Sequence, residues 1–258
     1  MKVIITADIG NSSISLGVFE KKELVFKCKL SSDKTRSSDE YAAYLSEIFR
    51  MNKLNTENFE GACILSVVPA LTRKFENALK KFGLSPLIIG SGVKTGLNIR
   101  VESPSLLGSD IVAAAVAAVS IKKGPVITVD MGTATTFTVI NEKNQLCGCI
   151  IAPGVKLSLD ALSSSCAQLS DVSLERPTKL VGSNTADSMI SGSVWGCALM
   201  VDGFINKIKK EFGFENNLSV IATGGLSKLI IPLCENQFIL EENLSLKGLL
   251  KIYLLNKQ

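Results

Sequence analysis

A stretch near the start of the chain recurs, without a gap, in its middle. When Ile4–Val25 is laid over Val126–Cys147, Ile5-Thr6 falls on Ile127-Thr128, Asp8 on Asp130, Gly10 on Gly132, Glu20-Lys21 on Glu142-Lys143 and Leu24 on Leu146. Each copy reads as an apolar strand, a D-x-G turn, a second strand rich in Ser, Thr and β-branched residues, a polar turn, and a third strand. Scattered identities arise by chance. Turn chemistry and strand spacing repeated together point to one folding unit used twice.

Between and after the copies the period changes from two to about 3.6. Asp39–Phe49 carries Tyr41, Leu45, Ile48 and Phe49 on one helical face, and Leu71–Phe82, the stretch from about Ile111, Leu157–Leu169, Ala186–Phe212 and Leu246–Leu255 also read as helices. Ala62–Val68, Leu87–Ile89 and Leu218–Ala222 read as strands. Meanders followed by βα units, twice over, predict an α/β protein of two domains. A chain of 258 residues has room for both. No linker marks the boundary, which is placed between 118 and 119, giving domains 1–118 and 119–258.

Composition narrows the function classes. Hydrophobic residues make up 46% and charged residues 20%, the balance of a globular chain rather than a disordered one. The net charge is +4, with lysines scattered as at Lys207, Lys209 and Lys210, so no basic stripe argues for nucleic acid. The apolar run Ile111–Val119 is too short to cross a bilayer, which takes about 20 residues. The opening Lys2–Thr6 reads as strand rather than signal peptide, and a cytoplasmic protein with no membrane partner is the expectation. There are seven cysteines and no CxxC pair; Cys147 and Cys149 share one strand face, and buried reduced thiols are expected. Histidine is absent, which removes Ser-His and Cys-His catalysis and leaves acid–base work to carboxylates, Lys, Tyr or Cys.

The chemistry concentrates in the two D-x-G turns, Asp8-Ile-Gly-Asn-Ser-Ser13 and Asp130-Met-Gly-Thr-Ala-Thr-Thr136. Glycine allows a tight bend that offers backbone N–H groups to a phosphate, the hydroxyls add donors, and the carboxylate can hold a cation. Asp and Gly also make ordinary hairpin turns, so one copy alone says little. Asp110 has two readings as well. It stands where a helix starts, as a cap would, and it is a carboxylate in a Gly-Ser-Asp turn. Asn184 and Thr185, ahead of the next long helical pattern, share that ambiguity.

Taken in order, the motifs resemble those of the type III pantothenate kinase family, within the acetate and sugar kinase/Hsp70/actin superfamily. The D-x-G-N-[ST] start, the G-x-D turn before an Ala-rich helix and D-x-G-T-A-T-T are followed by Gly148-Cys-Ile-Ile-Ala-Pro-Gly154, similar to GGxIxPG. Asn184-Thr185 with Ser191-Gly192, the turn Thr223-Gly224-Gly225 and the Leu246-Lys-Gly-Leu249 helix complete the set. The resemblance implies two RNase H-like (actin-like ATPase) domains with a nucleotide cleft between them. It implies ATP phosphates lined by Asp8, Ile9, Gly10, Asn11, Ser12, Ser13, Ile14, Ser15 and Thr133, with Mg2+. It further implies a monovalent cation, K+ or NH4+, at Asp130, and Asp110 as the base for the pantothenate hydroxyl. Gly108, Ser109, Asp110, Ile111 and Thr185 would contact pantothenate, in a homodimer whose substrate pocket lies at the subunit interface.

Three departures stand out. The family's G-x-D-R ends here in Ile111, which removes a guanidinium worth about 1.5–3 kcal/mol against a substrate carboxylate, or roughly ten- to hundredfold in affinity. Ser12 replaces Thr and keeps the hydroxyl, while Cys149 replaces a glycine. Ile111 leaves room for a nucleotide-binding regulatory homologue that lost the chemistry, and the two D-x-G turns with a positioned water would suffice for a phosphohydrolase of the same superfamily.

Overall fold

Apolar residues at alternate positions of Val3–Ile9 dictate a strand with one buried face, and the structure builds outward from it. The computed structural model describes residues 2–104, 107–165, 172–214 and 217–257. Its elements begin with β1 (Val3–Ile9), β2 (Ser13–Glu20), β3 (Glu23–Ser31), α1 (Ser38–Met51), β4 (Phe59–Ser66), α2 (Pro69–Lys80), β5 (Leu87–Ile88), β6 (Asn98–Ile99) and α3 (Ser109–Ile121). They continue with β7 (Val126–Met131), β8 (Ala134–Ile140), β9 (Gln145–Pro153), α4 (Val155–Ser165) and α5 (Thr185–Phe212). The chain closes with β10 (Ser219–Thr223), α6 (Ser227–Ile230), β11 (Ile239–Leu240) and α7 (Leu244–Asn256). The helix expected to run on to Leu169 ends its described part at Ser165, and residues 166–171, Cys166 among them, lie outside the described residues.

The contacts divide the chain into two units. The first is Met1–Gly96, Ser103–Ala117 and Leu244–Gln258; the second is Leu97–Glu102 and Ala118–Asn243. In the first, β1, β2 and β3 form an antiparallel meander and β4 and β5 add in parallel, in the order β3-β2-β1-β4-β5. Ile5, Ala7 and Ile9 of β1 and Ile14, Leu16 and Val18 of β2 face Tyr41, Leu45 and Phe49 of α1 and Leu71, Phe75 and Leu79 of α2. Ser37 starts α1 with a reciprocal capping box to Glu40, satisfying two amides that the helix cannot.

The second unit repeats the plan. β7, β8 and β9 form the meander, β10 and β11 add in parallel beside β7, and β6 joins the free edge of β9. Ile127, Val129 and Phe137 pack on Ile190, Val194, Ala198, Val201 and Ile205 of α5. That packing explains α5, which by length and composition alone would suit a bilayer. Its apolar side is spent on its own sheet.

Two expectations change. The gapless alignment of the copies does not survive in the strand register. Asp8 pairs with Ser15, whereas Asp130 pairs with Thr136, so the second turn is one residue tighter. Gly10 N donates to Ser13 O at 3.0 Å, and Gly132 N to Ala134 O at 3.0 Å. The missing residue returns in the next hairpin, because Ser15 pairs with Lys29 whereas Thr136 pairs with Ile151, one residue farther along. Side-chain alternation forces this compensation, because an uncorrected one-residue slip would turn the buried face outward.

The domain division also changes. Residues 244–258 belong to the first unit and not to a C-terminal domain. Leu246 and Leu250 of α7 pack on Phe19, with Ile4, Leu24 and Leu254 around them. This covers the sheet face opposite α1 and α2. A Cβ at Gly248 would overlap the Ala113 carbonyl oxygen of α3, so the two helices cross backbone against backbone. Among the described residues the cysteines are free thiols, Cys63 and Cys197 buried and Cys28, Cys147, Cys149 and Cys234 half-buried.

Candidate active site

In the first unit the side chains of β1 alternate, so Ile9 points into the core and Asp8 to the face that α7 covers. Gly10, Asn11 and Ser12 make the turn, and Ser13 and Ser15 return along β2 on the same face as Asp8. Ile9 and Ile14 are fully buried among the α1 and α2 side chains, so their part in any phosphate contact is confined to backbone. Ser32, just past β3, donates its hydroxyl to Gly10 O at 2.6 Å and its N–H to Ser12 O at 3.3 Å. The turn is thereby held by its carbonyls.

The Asp110 charge acts on Asp8 here. The helix α3 begins at Ser109, so Asp110 lies within the first turn and does not precede it, and Val112 N donates to Gly108 O at 3.2 Å. The Asp110 carboxylate folds back into the space a side chain at 108 would fill, so Gly108 leaves it that position. Burial pushes the Asp8 carboxyl up to about 6; a hydrogen bond from Ser245 opposes this, the Asp110 charge adds to it, and Lys29 opposes it. Ile111, the next residue, is 5% exposed and turned inward. A guanidinium at 111 would have to leave that environment to meet a carboxylate.

Ser245 had no sequence signal. It becomes a partner of Asp8 only because α7 returns to the first sheet, and nothing in Leu244-Ser245 encodes that return. Ser32 carried a weak signal, a serine pair ending a strand.

In the second unit three motif segments converge on Asp130. The turn Gly132-Thr133 follows β7, which ends just past Asp130, and Gly154 N donates to Thr133 O at 3.1 Å. A side chain on Gly154 would overlap the carbonyl oxygens of Gly132 and Thr133. Gly224, with φ of 92°, sits against the Asp130 carboxylate and the Met131 backbone, beside the β10–β7 pair Thr223 and Asp130. The glycines of the P-G and T-G-G motifs therefore serve the packing around Asp130. Cys149 lies mid-strand opposite Thr138, away from this turn in register. Asn184 is the cap of α5, its side chain accepting from Asp187 N at 2.9 Å, and Thr185 is the exposed first residue of the helix. Thr133 is exposed too.

A family model described as type III pantothenate kinase matches residues 4–207. The chain belongs to that family. A type III pantothenate kinase from Halalkalibacterium halodurans is 40% identical over 252 residues, 97% of this chain and 98% of that one. One from Exiguobacterium sp. is 38% identical over 257 residues, 99% of this chain and all of its own length. Among solved structures, an inorganic polyphosphate/ATP-glucomannokinase from Arthrobacter sp. strain KM aligns with a TM-score of 0.52 and 12% identity, covering 99% and 100% of the two chains. Component A of (R)-2-hydroxyglutaryl-CoA dehydratase from Acidaminococcus fermentans gives 0.54 and 13%, over 98% and 97%. At such identities the likeness is one of fold alone.

Proposed function

We propose that this chain transfers the γ-phosphoryl group of ATP to the primary hydroxyl of pantothenate, giving ADP and 4′-phosphopantothenate, the first step of coenzyme A biosynthesis. The observation that carries it is the approach of Asp8 and Asp110 within one unit, on the motif residues of the family to which the chain belongs. Asp110 is the base for the substrate hydroxyl. A loose phosphoryl-transfer transition state asks little of that base and much of positioning and charge, so a carboxylate in a first helical turn suffices. Gly108, Ser109, Ile111 and Thr185 are the neighbours of pantothenate in this reading. The turn from Asp8 to Ser15 and Thr133 take the phosphates of ATP.

The donors beside Asp8 are carboxylate and hydroxyl oxygens, which fit Mg2+, and two nearby carboxylates call for a cation. Mg2+ bound with ATP would offset phosphate charge there. Asp130, in a turn of backbone and hydroxyl oxygens, suits K+ or NH4+. A homodimer and a cytoplasmic location are parts of the same reading.

One experiment tests the set. Purified protein with Mg-ATP and K+ is assayed for ADP with and without pantothenate, and its mass is read by light scattering under the same conditions. ADP that depends on pantothenate, from a dimer, is the expected result. Nucleotide hydrolysis without pantothenate would favour the phosphohydrolase, and binding without turnover the regulatory homologue. Asp110→Asn is expected to abolish turnover with ATP affinity retained; full turnover in that variant removes Asp110 from its role.

A further inference from the structure

Apart from β6 the two units share one strand order, so a chemical difference at matching positions reports a difference in task. In the first unit a row runs across three strands on one face. Asp8 pairs with Ser15, and Ser15 pairs with Lys29 of β3. Phe26, Cys28 and Leu30 pack toward α1 and α2, so Lys29, between them, points to the face that carries Asp8. In the second unit the same row reads Asp130, Thr136, Ile151. The carboxylate and the hydroxyl are kept. The lysine is replaced by an isoleucine that is 65% exposed.

We propose that Lys29 is a phosphate-binding residue of the nucleotide site, a cation outside the D-x-G motif that meets the ATP polyphosphate held at the first turn. This rests on the reading that residues 8–15 take the phosphates. Neighbouring strands are about 4.8 Å apart, so Lys29 starts roughly 10 Å from Asp8, and its four-carbon stem carries the ammonium more than half of that way, leaving room for a phosphate between the two side chains. Its charge is already felt by the Asp8 carboxyl in the absence of nucleotide. The asymmetry has a reason. A polyphosphate beside a carboxylate needs fixed positive charge, whereas a monovalent cation at Asp130 would be repelled by a lysine. Ser32 adds to the same strand's role as a positioning residue, tying the carbonyls of Gly10 and Ser12 to the end of β3. Lysines on an edge strand also deter strand pairing, but that role is indifferent to nucleotide.

Equilibrium binding of ATP and of adenosine to the full-length protein with Mg2+ separates the two roles. Lys29→Met is expected to weaken ATP about tenfold, as for loss of one charge-assisted contact, with adenosine affinity unchanged. Lys29→Arg should stay within about threefold of the wild type, because the site asks for charge rather than a particular donor geometry. Lys29 is exposed, so these variants are expected to fold, and thermal unfolding checks this. Unchanged ATP affinity in Lys29→Met, equal loss of ATP and adenosine, or an arginine as poor as methionine each overturns the assignment. A wild-type protein that binds no ATP overturns the underlying reading instead.

Discussion

Asp8 carries a cost that its neighbours set. Burial, with the Asp110 charge acting on it, holds its carboxyl at about 6, above the ordinary 3.8, despite the Ser245 hydrogen bond and Lys29. The folded protein therefore binds this proton more tightly than the unfolded chain does. Below about pH 4 both states are protonated and nothing is lost; between about pH 4 and 6 stability falls as the pH rises, and above that the whole penalty, about 2–3 kcal/mol, is present. Asp8→Asn removes it. The variant is expected to melt higher than wild type at pH 8, with the gain gone near pH 4, while kinase turnover is lost. Equal melting temperatures of the two proteins at pH 8 would contradict this account. A residue that weakens the empty fold and is needed when Mg-ATP arrives is what a charged substrate site predicts.

At the scale of elements, α7 is the piece that completes the first sheet. Its crossing with α3 depends on Gly248, where a side chain would meet the Ala113 carbonyl oxygen. Alanine gains up to about 1 kcal/mol of helix propensity, but overpacking at a backbone crossing costs about 1–3 kcal/mol, so the clash wins. Gly248→Ala is expected to lower the melting temperature. The control is Gly203→Ala in α5, an exposed helical position with nothing near the added methyl, which should raise it. Both changes read by thermal unfolding with the same sign would refute the crossing. The strands and long helices were legible from period alone. The two-residue strands β6 and β11 were not, because so short a segment carries no period to read, and the four-residue α6 was marked only by the strand-to-helix turn at Leu226-Ser227.

For the whole molecule, chain order and spatial order part company. The first unit is closed by the last residues of the chain, Leu244–Gln258, so residues 1–118 are an incomplete unit. Without α7, Ile4, Phe19 and Leu24 lose the cover of Leu246 and Leu250. A fragment of residues 1–118 is expected to lack cooperative unfolding, and the same fragment with residues 244–258 joined through a flexible linker is expected to regain it. Circular dichroism melting of both decides the matter; a cooperative 1–118 fragment would show that α7 is dispensable.

By itself the sequence determined the repeat, the two meanders, the turns that carry Asp8 and Asp130, and the ordered motifs on which family membership rests. All of these are local, written in strand period and turn chemistry within a few residues. Only the tertiary structure decided that α7 returns to the first sheet, that Ser245 and Asp110 act on Asp8, that Gly154 and Gly224 pack around Asp130, and that the second turn is one residue tighter. Those contacts join segments far apart in the chain. An amphipathic pattern states that a helix has a face to bury, and leaves open which sheet will bury it.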